Sequence, residues 1–255
     1  MFRAVIPARH GSTRLPGKPL ALIAGTPMVL HVHRLAVRSG AAEVIVATDD
    51  DRIRAACASV GAIVEMTSAA HASGTDRIAE VAARRRWAAA DIVVNVQGDE
   101  PLLPPALVAQ AASLLAATPS ASVATLAVPI ATEAEYLDPN VVKLVARPDG
   151  MALYFSRAPI PWDRDGSASS PAGTQRHLGA RRHLGLYAYR VSALQALAAA
   201  PAAALERRER LEQLRALSLG MQVAVADAVG PPGPGVDKPE DLARVEAILR
   251  ARVRA

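Results

Sequence analysis

At 255 residues, with 51% hydrophobic side chains and 21% charged, the chain suits one sizeable domain, or a domain with a lobe, that buries a real core. Aromatics at only 3% argue against a stacking surface for single-stranded nucleic acid. The net charge of +5, from 29 basic against 24 acidic residues spread along the chain, fits acidic small substrates as readily as nucleic acid.

Ala4–Ala8 is a short apolar strand that runs into Arg9-His10-Gly11-Ser12-Thr13-Arg14-Leu15-Pro16-Gly17-Lys18-Pro19. Two glycines, two hydroxyls and the cations Arg9, Arg14 and Lys18 read as a polyphosphate cradle, because glycine lets backbone N–H groups approach an anion that the cations neutralise; the alternative is a solvated basic turn. It is not a P-loop: Gly11 to Gly17 is one residue too long, and Pro19 sits where a Mg²⁺-binding hydroxyl is required. No G-x-G-x-x-G occurs, which lowers the case for a dinucleotide site. Met1-Phe2-Arg3 leads directly into this strand, so no signal peptide is expected.

Met28, Val32, Leu35 and Ala36 mark one face of a helix stopped by Gly40. Residues 43–48 form a buried strand, and Asp49-Asp50-Asp51 opens a helix with acid at its positive end. Cys57, the single cysteine, lies at helical spacing with Ile53 and Val60; it is a small core residue, and the chain has no internal disulfide or cysteine metal site. Residues 62–65 give a third strand, residues 75–86 a helix with Ile78, Val81 and Ala82 inward, and residues 91–96 a fourth strand ending at Gln97-Gly98-Asp99-Glu100-Pro101. Continuous apolar strands alternating with helices predict an α/β fold, a mostly parallel sheet covered on both faces. Residues 101–132 carry no charge, but four prolines cut them and the longest proline-free piece is 13 residues, against the roughly 20 a membrane span needs. A soluble, cytoplasmic protein is expected.

The second half reads differently. A β-hairpin is expected over 141–156, turning at Arg147-Pro148-Asp149-Gly150, then a polar, mobile loop over 159–183. A strand over 184–189, a helix over 205–217, a strand over 222–226, a rigid connector at 231–235 and a helix begun by Pro239 follow. The run 206–213 reads mostly as a solvated helix face, from which only Glu212 and Gln213 stand out. Residues 1–255 are expected to make a single unit, with a differently patterned lobe over 131–220.

Several residues carry candidate chemistry. Asp99 follows a buried strand, at the carboxyl edge where ligands of open α/β sheets collect, and faces the basic loop; a carboxylate there suits Mg²⁺ held against phosphates, or is a plain turn residue. Pro prefers the first helical position, so Pro239 makes Lys238 the cap and releases Asp237 from capping. Ser73-Gly74-Thr75-Asp76-Arg77 enters a helix, with the cap reading favoured over a base-reading one. Arg157 and Arg164 bracket a possible lid around Trp162 and suit bidentate carboxylate binding. His31 and His33, two apart on a helix, are poor metal partners.

With these residues laid out, the chain resembles the 3-deoxy-manno-octulosonate (Kdo) cytidylyltransferases, or CMP-Kdo synthetases, from the first strand to the last helix. The blocks that carry the likeness include Ile6-Pro7-Ala8-Arg9, Ser12–Leu20, Ser73-Gly74-Thr75, Asn95–Pro101, Ala152–Arg157, Ile160–Arg164, Arg182-His183-Leu184-Gly185, Leu211–Arg215 and Gly235-Val236-Asp237. The first is common to sugar nucleotidyltransferases, while those with Trp162 and His183 are more specific. His10-Gly11 stands where the family more often has an aromatic residue and alanine, and loop 166–180 has its own composition.

The resemblance implies a nucleotide-diphospho-sugar transferase fold, with 1–130 mainly binding nucleotide and 131–220 mainly a sugar-acid-binding and dimerisation lobe, a Mg²⁺-dependent reaction and a homodimer; the hairpin over 141–156 and the apolar strand over 184–189 need cover, so its contacts are expected from the second half. It implies transfer of CMP from CTP to Kdo with release of pyrophosphate, for lipopolysaccharide synthesis. Arg14 and Lys18 would hold the triphosphate and Asp99 with Asp237 the metal; Ala8, Arg9, Gly11, Ser12, Ser73, Gly74, Arg77 and Gln97 would face the nucleotide. Gln97, Arg157, Arg164, His183, Tyr187, Glu212 and Gln213 would surround the sugar acid. Alternatives are a cytidylyltransferase for another acidic sugar of sialic-acid type, a nucleotidyltransferase acting on a sugar 1-phosphate, or a catalytically silent nucleotide-binding module.

Overall fold

The structure, a computed structural model, describes residues 1–11, 15–164, 177 and 179–254. Ser12 and Arg14 of the basic loop, and most of the expected mobile loop, therefore lie outside the described residues.

The first half alternates as expected: β1 (Arg3–Ala8), a 3-10 turn (Lys18–Leu20), the short pair β2 (Leu22–Ile23) and β3 (Thr26–Pro27), α1 (Met28–Val37), β4 (Glu43–Thr48), α2 (Asp51–Ala58), β5 (Ile63–Met66), α3 (Gly74–Arg84) and β6 (Ile92–Asn95). The uncharged stretch holds α4 (Pro105–Ala117) and most of β7 (Val123–Pro129). There follow α5 (Glu133–Leu137), the hairpin β8 (Lys143–Ala146) and β9 (Ala152–Ser156), then β10 (Arg181–Arg190), α6 (Val191–Ala199), α7 (Ala204–Glu209), α8 (Gln213–Ser218), β11 (Val223–Asp227) and α9 (Pro239–Arg254).

The main sheet runs β11-β7-β10-β6-β1-β4-β5. Six of these strands point the same way, and β10 alone opposes them, antiparallel to both β6 and β7. In β1 successive side chains alternate between two cores, Ala4, Ile6 and Ala8 facing α1, α2 and α4, and Val5 facing α3 and α6. Both faces are therefore dry, which is why these strands are apolar throughout. Cys57 is fully buried in the first core, and burial pushes its thiol up to about 11, so it is inert packing.

Local signals explain the helix starts. Asp50 caps α2 by accepting from the Arg52 and Ile53 amides. Ser73 caps α3 in a reciprocal box with Asp76, the cap role that the sequence favoured. The expected helix over 205–217 is instead two short helices, α7 and α8, because Arg210 takes a left-handed conformation (φ 53°) that ends α7. That break turns Leu211 and Leu214 into the second core.

β10 carries a bulge: its register against β7 shifts between Leu184 and Tyr187. The Thr125 hydroxyl occupies the irregularity, within 3.0 Å of the Leu184 carbonyl and 2.8 Å of that of Leu186. Beneath the hairpin, Lys143 is fully buried and its ammonium donates to the carbonyls of Asp138, Val141 and Arg157 at 2.6–2.8 Å. We expect Lys143→Met to leave these three carbonyls unpaired and to lower unfolding stability by about 3 kcal/mol, read as the shift of the urea midpoint at constant m-value.

Candidate active site

The site forms at the carboxyl edge of the sheet. β1 delivers Arg9, the 3-10 turn delivers Lys18, the loop after β6 delivers Gln97 to Glu100, and the segment before α9 delivers Asp237. Backbone approach here is close. A Cβ on Gly98 would stand 2.8 Å from the Pro7 carbonyl oxygen, and one on Gly233 would stand 2.6 Å from the Leu102 carbonyl oxygen, so only glycine lets these segments meet. The Val236 amide donates to the Asp99 carbonyl at 2.9 Å, fastening the connector to the β6 loop.

At this junction the Lys18 ammonium, nearly buried, lies 2.7 Å from Asp99 Oδ2 and 3.4 Å from Asp237 Oδ1. Two carboxylates 138 positions apart in sequence thus converge on one cation. Asp241 Oδ2 accepts from the amides of Asp237 and Lys238 at 2.9 and 3.0 Å, fixing that backbone, and Arg244 pairs with its other oxygen. Glu100 completes the acidic edge. Burial first, then the charges of Asp99 and Asp237, push its carboxyl up to about 7.

Mg²⁺ favours one or two carboxylates with water and substrate phosphate as its remaining ligands. The Asp99–Asp237 pair fits that donor set. Among the described residues no group of three or more His, Cys, Asp or Glu side chains is arranged to hold a metal, so a cation here would draw its other ligands from water and substrate.

Three cavities adjoin the junction, and Gln97 lines all three. One of about 250 Å³ is bordered by Ala8, Arg9, Lys18, Ser73, Gly74, Arg77 and Asp99, most of the expected nucleotide set. One of about 40 Å³ is bordered by Tyr187, Glu212 and Gln213. The largest, about 610 Å³, is bordered by Glu100, Arg182, His183, Asp237, Asp241 and Arg244.

The side chains differ in how free they are to meet a ligand. Arg77 is buried and bonds to Asp49 (2.8 Å) and Thr67, tying α3 to β4 and β5 from the cavity wall. Ser73 spends its hydroxyl on the α3 cap and lies 3.4 Å from Glu212, whose carboxyl is raised mainly by burial. His183 is buried edge-on to Phe155, and its Nε2 lies 3.0 Å from the Thr125 oxygen. Since that hydroxyl donates to strand carbonyls, Nε2 donates to it, and burial pulls the imidazole down to about 3. His183 is neutral at working pH.

Arg157 and Arg164 line none of these cavities. The Arg157 guanidinium is held by the carbonyls of Glu209 (2.7 Å) and Pro139 (2.9 Å), while Arg164 and Gly11 are exposed. The run 206–213, expected to be a solvated face, is partly interior. Glu206 and Arg215 form a buried pair at 2.5 Å, and Glu209 accepts from the Ser156 hydroxyl and the Arg157 amide. Glu100, Arg182 and Asp241 were missed from the sequence. Asp241 alone left a signal, an acid three residues after the cap that Pro239 defines.

The cytidylyltransferase family matches residues 3–223. A 3-deoxy-manno-octulosonate cytidylyltransferase of Thioalkalivibrio sulfidiphilus is 53% identical over 98% of this chain and 99% of its own. The chain belongs to the 3-deoxy-manno-octulosonate cytidylyltransferase family. The same-named protein of Halorhodospira halophila is 53% identical over 98% of this chain and 96% of its own. The structure of CMP:2-keto-3-deoxy-manno-octonic acid synthetase complexed with CTP superposes at TM-score 0.88, with 40% identity, over 99% of this chain and 100% of that one. A 4-diphosphocytidyl-2C-methyl-D-erythritol synthase, at TM-score 0.62, 15% identity and 97% of both chains, shares the fold alone.

The state of His183 has a measurable consequence. An unfolded imidazole titrates near 6.5 and the folded one near 3, so below pH 6.5 the unfolded chain binds the extra proton and stability falls. His183→Gln removes that component. The stability advantage of wild type over the variant should therefore shrink by about 2 kcal/mol between pH 7 and pH 5, measured by urea unfolding at both.

Proposed function

We propose that this protein joins CTP to 3-deoxy-manno-octulosonate, giving CMP-Kdo and pyrophosphate, with Mg²⁺ as cofactor. The observation that carries the reading is the convergence of Asp99 and Asp237 on one cation, between a basic cavity and a larger one. In this reading the anomeric hydroxyl oxygen of Kdo attacks the α-phosphorus of CTP in line, the bond to the bridging oxygen of pyrophosphate breaks, and the hydroxyl proton leaves to solvent. Little covalent work falls to the protein; positioning and charge neutralisation dominate.

Arg9 and Lys18 carry positive charge to the 250 Å³ cavity, where the triphosphate would lie. Asp99 and Asp237 would hold Mg²⁺, which when bound offsets phosphate charge and favours ionisation of the attacking hydroxyl. Lys18 would then turn from the carboxylates to the phosphates. Gln97, bordering every cavity, offers an amide to either substrate; at present its Nε2 donates to the Gly185 carbonyl at 3.3 Å.

Pyrophosphate release should require CTP, Mg²⁺ and Kdo together, and equal turnover on a sugar 1-phosphate without Kdo would overturn the reading. Asp99→Asn and Asp237→Asn should each slow turnover by about 100-fold or more with thermal unfolding little changed. The double variant should be little worse than either single one, since groups acting as a unit are not additive.

The protein is also proposed to act in the cytoplasm, where CTP is available, and as a homodimer. Leu153, on the hairpin strand β9, is 57% exposed and suits a subunit contact. Light scattering should give a dimer mass for wild type and a monomer mass for Leu153→Arg; a monomeric wild type would remove the dimer.

A further inference from the structure

Between β5 and α3 the chain forms an arch, residues 67–73, whose His71, Ala72 and Ser73 border the 250 Å³ cavity. Its two ends are tied down. Thr67 gives both its amide and its hydroxyl to the Thr48 carbonyl, at 2.8 and 3.1 Å, and Ser73 caps α3. The middle is different. Ser68, Ala69, Ala70 and Ala72 are exposed, and residues 68–72 contain no apolar side chain larger than alanine. A stretch with so little apolar burial opens easily unless polar contacts hold it.

Among the described residues, every hydrogen bond from 68–72 to the rest of the protein ends on one carboxylate. Glu80, on α3, accepts at Oε2 from the Ser68 amide at 2.9 Å and from His71 Nε2 at 2.5 Å, while its Oε1 pairs with Arg84. An ionised carboxylate only accepts, so Nε2 carries the proton and the ring is held in one orientation. Burial alone would raise the Glu80 carboxyl, but the Ser68 amide, His71 and Arg84 outweigh it and hold it below the usual carboxylate range. Glu80 borders none of the three cavities, so any effect it has on a ligand passes through the arch.

The arch brings backbone to the cavity rather than charge. The amides of His71 and Ala72 donate to no other described residue. Arg77 is held by Asp49 and Thr67, so the charges suited to polyphosphate, Arg9 and Lys18, come from β1 and the 3-10 turn instead. This wall suits the nucleoside, whose polar edges need donors fixed in place. We propose that Glu80 is a positioning residue for the nucleotide: it gathers the Ser68 amide and the His71 ring on one oxygen and so keeps the arch in the shape that meets the nucleoside of CTP. The inference rests on the CTP site proposed above. An arch ordered beforehand spares the ligand the entropy of ordering it on arrival.

The test pairs two measurements on the whole protein without Kdo: calorimetric binding of CTP, and amide hydrogen exchange over residues 66–74. Glu80→Ala should raise Kd for CTP by about 10-fold, the effect of an arch that keeps its binding shape roughly a tenth of the time. Its arch amides should exchange faster than those of wild type, and saturating CTP should restore their protection. Glu80→Gln, whose carbonyl still accepts from both groups, should stay within about threefold of wild type in Kd. Arg84→Ala, which leaves Oε2 and its two donors in place, should stay within about twofold. At saturating CTP, kcat and KM for Kdo should be those of wild type in Glu80→Ala. Should the alanine variant lose its cooperative thermal transition, Glu80→Ser serves in its place. A folded variant that binds CTP like wild type, or binds it weakly with arch exchange unchanged, overturns the assignment; so does a Glu80→Gln or Arg84→Ala variant as impaired as Glu80→Ala. A wild type that binds no CTP overturns the proposed function and this assignment with it. A wild type that binds CTP but does not act on Kdo overturns the sugar reading alone, and the binding and exchange results still decide the role of Glu80.

Discussion

Lys18 holds the site together. Its ammonium faces two carboxylates that belong to opposite halves of the chain, one at the end of β6 and one just before α9. Without a cation between them, Asp99 and Asp237 would repel each other across a half-buried gap, and Glu100 beside them would add to the repulsion. The three segments that meet here also share an apolar cluster, in which Leu15, Leu102 and Val236 pack with Met28 and Val245, and charge and backbone hydrogen bonds complete their arrangement. A site built this way is already shaped for a cation before any metal arrives. That is the economy of the design: the residue that stabilises the empty arrangement also carries the charge that polyphosphate needs.

Around that ion cluster, backbone geometry sets the tolerances. The connector before α9 lies so close to the chain after β6 that a methyl group at Gly233 would strike the Leu102 carbonyl, and the Val236 amide is spent on the Asp99 carbonyl. Asp241 then fixes the amides of Asp237 and Lys238. Each contact is modest, but together they convert a terminal helix into a positioning device for one carboxylate.

Much of this was legible in the sequence. Strands buried on both faces show as unbroken apolar runs, so β1, β4 and β6 and the sheet they imply were readable. Asp99 stood at a strand end, and Pro239 gave away Asp237. What stayed hidden depends on pairing across long separations. Arg77 looks like a ligand-facing cation until Asp49 and Thr67 are seen to hold it. Glu206 sits in a run whose composition belongs to a solvated face, yet it and Arg215, just beyond that run, hide each other's charge, and no single-residue property reveals that. The left-handed turn at Arg210 was equally invisible, since arginine carries no preference for it. Arg182 opened a motif that drew attention to His183 instead.

Gln97 lines all three cavities while its amide is spent on one long bond to the Gly185 carbonyl, on the strand that carries Arg182 and His183. A side chain shared in this way makes the occupancy of one cavity a matter of concern to the others. If filling the nucleotide side turns that amide, the β10 carbonyl loses its partner and the sugar side meets a different wall. Thermodynamic linkage then runs in both directions: by whatever factor the nucleotide alters affinity for the acid, the acid alters affinity for the nucleotide. The coupling between the two substrates then resides in one amide group rather than in either binding surface.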